Sequence, residues 1–218
     1  MSVHRPSNKM KISMIIPAAG LSTRHPDKLL QKFREYGKET SQRLTTTERL
    51  EKRIIETTVS KFIKFPMDII VIVGHNKDEI ESVLRNSFEH HIRIIENPEY
   101  RNGLGTSLKA GVLASKSDTD YFGFCLGDKP FVKPETINHL LETLEKQHPP
   151  MLAPTFNGVF GHPNFFSKEY RDKFTSLKKD SGGRDILQSE RRNVLTIPGS
   201  DPGVITDMDI ILKNLSKV

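Results

Sequence analysis

Four short apolar runs recur along the first two thirds of the chain: Ile12 to Ile16, Asp68 to Val73, His91 to Glu96 and Tyr121 to Leu126. Each is rich in β-branched or aromatic residues and stops at Gly, Pro or Asn, the pattern of a buried strand. Between and after them lie stretches of helical period. Thr45 to Lys64 puts Leu50, Ile54, Ile55, Thr58, Val59 and Phe62 on one face, with threonines ahead of Glu48 and Glu51 as its N-terminal cap. Lys77 to Asn86, Gly103 to Ser115 and Pro134 to Gln147 follow, the last with proline at its first turn. Strands that alternate with helices at this spacing must run parallel and cross over right-handed, because each helix has to pack back onto the sheet. The expected fold is α/β, a Rossmann-like three-layer α/β/α sandwich with a mostly parallel sheet.

Regularity breaks after Pro149-Pro150. Met151 to Thr155 and Val159 to Phe166 read as short strands around a loop, Asp180 to Arg184 opens a short helix, and Val194 to Ile197 is a further strand. Leu29 to Tyr36 reads as a short helical or irregular piece, and Gly37 to Thr47 as a polar excursion from the body. No repeat or linker divides the 218 residues, so one domain is expected, with residues 1–10 polar and loosely held. The N-terminal stretch lacks the apolar core of a signal peptide and no run reaches transmembrane length, which points to the cytoplasm. Cys125, the single cysteine, excludes an internal disulfide and sits in an apolar run as an inert buried thiol.

The balance of 33 basic to 27 acidic residues, net +6, favours anionic ligands. The basic residues are scattered, and the cluster from Lys173 to Lys179 lacks a nucleic-acid motif, so it reads as a solvated face rather than an RNA or DNA surface. The first strand ends at Pro17 and passes into Ala18, Ala19 and Gly20, then Ser22, Thr23, Arg24 and Lys28. Small residues let a ligand approach the backbone, whose N–H groups form an anion-binding concavity. The hydroxyls and cations that follow suit a triphosphate. The spacing is not that of a Walker loop, and an ordinary strand, loop and basic helix start is the alternative.

Ligands in open parallel sheets bind beyond the carboxyl ends of the strands. Gly74, Asn97 and Gly127-Asp128 fall there, with Asp207 and Asp209 arriving late in the chain. Asp128 is the leading acidic candidate, either as a ligand of Mg²⁺ beside substrate phosphates or as a turn former in Asp-Lys-Pro. Asp207 and Asp209 either share that metal or cap a helix. Gly103 to Leu108 is no dinucleotide fingerprint, though Thr106 and Ser107 at a helix start can face an anion. His162, in Gly161-His162-Pro163, is a turn histidine or a substrate contact.

As a set these stretches resemble the MobA-like nucleotidyltransferases, in particular the molybdenum cofactor cytidylyltransferase branch. The resemblance rests on PAAGLSTR at 17–24 with Lys28, NPEYRNGLGTSLKAG at 97–111, LGDKP at 126–130, GHPNFF at 161–166, DSGGRDIL at 180–187 and TDMDI at 206–210. The chain departs from the family pattern at His25-Pro26, usually Met-Gly, at Lys129, usually Gln, and in its shortened closing motif. Stretch 37–53 is also longer than the family suggests.

The resemblance implies a fold of the nucleotide-diphospho-sugar transferase type and an Mg²⁺-dependent nucleotidyl transfer. A phosphate on a small phosphorylated acceptor attacks the α-phosphorus of an NTP, and pyrophosphate leaves. Arg24 and Lys28 would hold the β- and γ-phosphates, and Asp128 with Asp207 or Asp209 would hold Mg²⁺. The backbone of Ala18, Ala19, Gly20 and Leu21 would cradle the nucleotide, with Asn97, Gly105 and Ser107 near the nucleoside. His162, Gly182 and Arg184 would face the acceptor. The Ala18-Ala19-Gly20 form favours CTP, with a molybdopterin-type acceptor. A sugar phosphate acceptor, or a nucleotide-binding domain without turnover, is the alternative.

Overall fold

The computed structural model describes residues 9–22, 25, 27–33, 52–209 and 211. The loose segment expected before residue 9, the excursion at 37–47, residues 45–51 of the expected long helix with their threonine cap, and Arg24 lie outside the described residues.

The strands are β1 (Ile12–Ala18), β2 (Lys32–Phe33), β3 (Lys52–Arg53), β4 (Asp68–Val73), β5 (Ile92–Glu96), β6 (Tyr121–Phe124), β7 (Met151–Phe156), β8 (Val159–Phe160), β9 (Asn164–Ser167) and β10 (Val194–Pro198). The helices are α1 (Ile54–Ser60), α2 (Lys77–Phe88), α3 (Leu104–Ala114), α4 (Pro134–Gln147), α5 (Arg171–Thr175) and α6 (Gly183–Ser189). The main sheet runs β10-β7-β9-β6-β1-β4-β5, with β8 beside β7, and β2 pairs with β3 separately. β1 lies parallel to β4 and β6, β4 to β5, and β10 to β7. β9 runs antiparallel between β6 and β7. The hairpin from β7 to β8 turns at Asn157-Gly158, both at positive φ, which is the geometry Asn-Gly supplies at least cost.

Period-two alternation sends successive side chains of each strand to opposite faces. On one face Met14, Ile16, Val71 and Phe165 pack with Ile54 and Val59 of α1, Leu84 of α2 and Leu140 of α4. On the other, Ile15, Ile70, Phe122 and Phe166 pack with Val112 of α3, Phe174 of α5 and Leu187 of α6. Helices therefore cover both faces, as expected for three layers. In register, Ile15 lies between Ile70 and Phe124.

One local expectation is corrected. Among the described residues the long helix runs only over Ile54–Ser60, because Lys52–Arg53 pairs as a strand with Lys32–Phe33. Its first turn is capped by the Glu56 carboxylate, which accepts from the Arg53 N–H at 2.8 Å. The piece at Leu29 to Tyr36 is a 3₁₀ turn at Lys28–Leu30 followed by β2, and residues 34–36 lie outside the described residues. Cys125 is fully buried, and burial pushes its thiol above the usual range, as an inert core thiol requires. Among the described residues no helix is long and apolar enough to cross a membrane.

Candidate active site

Hydrogen bonding continues past the ends of the central strands. The Gly127 N–H donates to Pro17 O at 3.0 Å, and the His75 N–H donates to Ala19 O at 3.2 Å. The loops at 17–22, 74–76 and 127–128 are thus held side by side at the carboxyl end of the sheet. Thr58 of α1 donates its hydroxyl to Gly127 O at 2.9 Å in the buried interior, which fixes the segment carrying Asp128.

The first loop winds through turns. Ser22 and Asp27 sit at positive φ, His25 N–H donates to Ser22 O at 3.0 Å, and Lys28 N–H donates to His25 O at 3.2 Å. Asp27 also accepts from the Asn76 carboxamide, tying this loop to the end of β4. The turns deliver Lys28 inward, 7% exposed, where its ammonium donates to Asp128 Oδ2 and to Asp209 Oδ1, both at 2.7 Å. Burial alone would lower the Lys28 pKa; the Asp128 and Asp209 carboxylates outweigh it and hold the ammonium above its ordinary value. Asp209 reaches this place because the Met208 N–H donates to Asp128 O at 3.2 Å.

Around this triad lies a cavity of about 540 Å³ lined by the 17–22 backbone, Lys28, Tyr100, Arg101, Ser107 and Asp128. A Cβ at Gly20 would meet nothing within 4 Å, so its missing side chain leaves open space for a ligand rather than serving internal packing. Arg101 lies over the Tyr100 ring, 5.4 Å from its centroid, and adds a second cation to the wall.

A second cavity, also about 540 Å³, holds Lys129, His162, Asn164, Gly182, Arg184 and Asp207 among its lining. It shares Leu104, Leu126 and Asp180 with the first, so the two adjoin. Consecutive residues Asp128 and Lys129 line different cavities. Lys129 is 5% exposed; its ammonium donates to Ile205 O at 3.0 Å and lies 3.5 Å from Asp207 Oδ2. His162 Nδ1 lies 3.2 Å from Phe124 O. Burial, then the charge of Lys129, pushes the His162 pKa down to about 4, so the ring is neutral at neutral pH. Because a carbonyl only accepts, Nδ1 carries the proton and Nε2 keeps its lone pair. A broader, open depression of about 770 Å³ lies at the other, amino end of the sheet, around Lys11, Asp68, His91 and Arg93, away from all these groups.

Lys28, Asp128, Ala18, Ala19, Gly20, Leu21 and Ser107 meet at the first cavity; His162, Gly182 and Arg184 meet at the second. Asn97 and Gly105 do not line the nucleotide-sized cavity as expected. The buried Asn97 carboxamide donates to Thr106 Oγ1 at 2.8 Å and Ser107 Oγ at 3.0 Å, and so orients Ser107 from behind. Gly105 turns away, its N–H donating to Lys179 O at 2.8 Å. The late aspartates part company: Asp209 joins Asp128, and Asp207 faces Lys129. Tyr100, Arg101, Lys129 and Asn164 were not among the candidates, although all four lie inside the motifs quoted above.

A cavity where lysine and arginine meet carboxylates at the carboxyl ends of a parallel sheet, adjoining a second, mostly apolar cavity with charged groups in its wall, fits a nucleotidyltransferase. The comparisons agree. The MobA-like NTP transferase domain is matched over residues 14–194, and the chain belongs to that family. It is 30% identical over 157 residues to the molybdenum cofactor cytidylyltransferase of Escherichia coli (strain K12), covering 72% of this chain and 70% of that one. Among solved structures, a Mycobacterium sp. strain JC1 homologue of a Mycobacterium tuberculosis protein superposes with a TM-score of 0.69 at 21% identity, covering 94% of this chain and 96% of that one. The 4-diphosphocytidyl-2C-methyl-D-erythritol synthase of Anaerococcus prevotii superposes with a TM-score of 0.64 at 17% identity, covering 95% and 96%. These two likenesses concern the fold.

Proposed function

We propose that this enzyme moves CMP from CTP to a small phosphorylated acceptor of the molybdopterin type, in the cytoplasm, with Mg²⁺ and release of pyrophosphate. The observation that carries the reading is the meeting of Lys28 and Asp128 in one cavity that adjoins another. The cytidylyltransferase relative supports CTP and the acceptor class.

In this reading the triphosphate lies over the Ala18 to Ser22 backbone. Lys28 and Arg101, with Arg24, bind the β- and γ-phosphates and offset the charge of the departing pyrophosphate. The acceptor phosphate enters from the second cavity. One of its oxygens bonds to the α-phosphorus as the bond from that phosphorus to the β-bridging oxygen breaks, and the leaving pyrophosphate takes the electron pair. An acceptor phosphate is already ionised at neutral pH, so no strong general base is needed, and neutral His162 serves as a hydrogen-bonding group. Ser107, oriented by Asn97, borders the nucleoside side of the first cavity.

The residues fit Mg²⁺. Asp128 Oδ1 is buried without a hydrogen-bond partner. An unpartnered carboxylate oxygen suits an ion that takes one or two carboxylates and completes its shell with phosphates and water. Asp128 and Asp209 would hold it, and it would supply positive charge to the reacting phosphates.

The test is pyrophosphate release from each NTP, with and without molybdopterin or a sugar phosphate, and mass analysis of the product. A CMP-acceptor adduct formed from CTP is the expected result. Tight CTP binding with no pyrophosphate from any pairing would overturn the reading in favour of a binding domain.

A further inference from the structure

The second cavity contains a group that its surroundings leave unfinished. Asn164 on β9 is 3% exposed, yet its Oδ1 has no hydrogen-bond partner. Its Nδ2 lies 3.4 Å from Gly161 O and 3.4 Å from His162 Nδ1. The His162 contact is no hydrogen bond, because Nδ1 already carries the proton directed at Phe124 O. Gly161 O therefore orients the carboxamide. Turning it over would set Oδ1 against that carbonyl oxygen, acceptor against acceptor, and the His162 N–H it would then face is already engaged at the shorter distance by Phe124 O, so the orphaned atom is the oxygen. Native interiors rarely leave such an oxygen bare unless something else brings the donor.

The rest of the wall says what kind of molecule that is. Lys129 and Arg184 provide cations in the same cavity, beside the carboxylates of Asp180, Asp185 and Asp207. Lys129 is anchored at Ile205 O and Asp207, which line the second cavity with it, so its charge is fixed in the wall of that cavity. A phosphate belongs beside Lys129, with the body of the acceptor against His162 and Asn164. There His162 Nε2 and Asn164 Oδ1 are both acceptors. Building on the transfer reading, we propose that Asn164 is a specificity-determining residue: its Oδ1 takes a hydrogen bond from an N–H or O–H group on the body of a phosphate-ester acceptor whose phosphate Lys129 steadies.

Both an amino-heterocycle and a polyol carry such donors, and three probes tell them apart: 6-(hydroxymethyl)pterin phosphate, erythritol 4-phosphate and donor-free butyl phosphate. Binding of each to the full chain is measured by calorimetry, independently of turnover. The expected result is that one donor-bearing probe binds about tenfold more tightly than butyl phosphate, the size of one good hydrogen bond. Whichever probe shows the preference identifies the source. In Asn164→Leu that preference disappears, and Asn164→Ala gives the same readout should the larger side chain not fold. Equal binding of all three probes to the unaltered protein overturns the proposal, as does a folded Asn164 variant that keeps the preference. Pyrophosphate release from CTP separates the two readings. Preference without release keeps the role of Asn164 and removes the transferase reading; release without preference does the reverse.

Discussion

Replacing Lys28 by Met should push metal binding and turnover in opposite directions. The ammonium lies 2.7 Å from Asp128 Oδ2 and 2.7 Å from Asp209 Oδ1, so those oxygens can be at most twice that distance apart. Two like charges about 5 Å apart repel by about 3 kcal/mol at an effective dielectric near 20, and by under ~1 kcal/mol in bulk water. The two carboxylate side chains are 16% and 25% exposed, which places them between those limits. Met matches the length of Lys without its charge. The variant should therefore lose about 1–3 kcal/mol of stability to the unrelieved repulsion.

A divalent cation relieves the same repulsion and no longer competes with an ammonium. Calorimetric affinity of the nucleotide-free protein for Mn²⁺ should rise about tenfold or more. Turnover should instead fall about a hundredfold, because a charged contact to the leaving phosphates is gone, a loss of ~3 kcal/mol in the barrier. On the proposed function, Lys28 would hold the carboxylates together until a triphosphate takes the ammonium and leaves the oxygens to the metal. Weaker Mn²⁺ binding by Lys28→Met than by the parent would refute this exchange. So would turnover within about threefold of the parent, since that is too small a loss for a transition-state contact.

Thr58→Val removes the buried donor to Gly127 O with little change of shape. It should cost about 1–3 kcal/mol in urea melts and lower kcat without altering the Kd for CTP, because the segment bearing Asp128 loses its tether. His162 has a folded pKa of about 4, below its unfolded value. Its contribution to stability is therefore full above about pH 6.5 and is lost as pH falls toward 4. His162→Gln should flatten that part of the pH–stability profile, and an unchanged slope would show that the ring is not held neutral. Phe166 is fully buried, with ring centroids of Phe174 at 4.9 Å and of Phe124 and Tyr170 at 5.7 Å. Phe166→Ala should cost about 3–5 kcal/mol and lower Tm by about 10 °C, measured by calorimetry.

The strands and α4 were legible because their signals are local: apolar runs cut by Gly, Pro and Asn, and a proline at the first helical turn. The insertion of β9 between β6 and β7 was not, since it depends on pairing Phe124 with Asn164 across forty residues of chain, which no period encodes. Helical period alone overextended α1, because the pairing of Lys52–Arg53 with β2 takes the backbone out of helix just before Ile54. Lys28 and Asp128 could be brought together from sequence, both following adjacent parallel strands at the carboxyl end. The choice between Asp207 and Asp209 could not, because two carboxylates so close in sequence carry the same signal and only the fold says which one meets Lys28. Lys129 was visible as a departure, but its anchoring at Ile205 O depends on a long return of the chain.

That return ties the two cavities to the backbone by different kinds of bond. The segment from Val204 to Asp209 is fastened along its length: His162 N–H donates to Val204 O at 2.8 Å, Lys129 Nζ to Ile205 O at 3.0 Å, and Met208 N–H to Asp128 O at 3.2 Å. The Met208 bond involves backbone atoms alone and sits beside the triad, so it holds Asp209 on Lys28 whatever side chains line the second cavity. The Lys129 bond uses a side chain and lies in the wall of the second cavity. A change at 129 or 164 therefore alters charge and hydrogen bonding in the second cavity, while the backbone continues to hold Asp209 in the first. The departure at Lys129 therefore falls in the wall of the second cavity and leaves the contacts of Lys28, Asp128 and Asp209 in place.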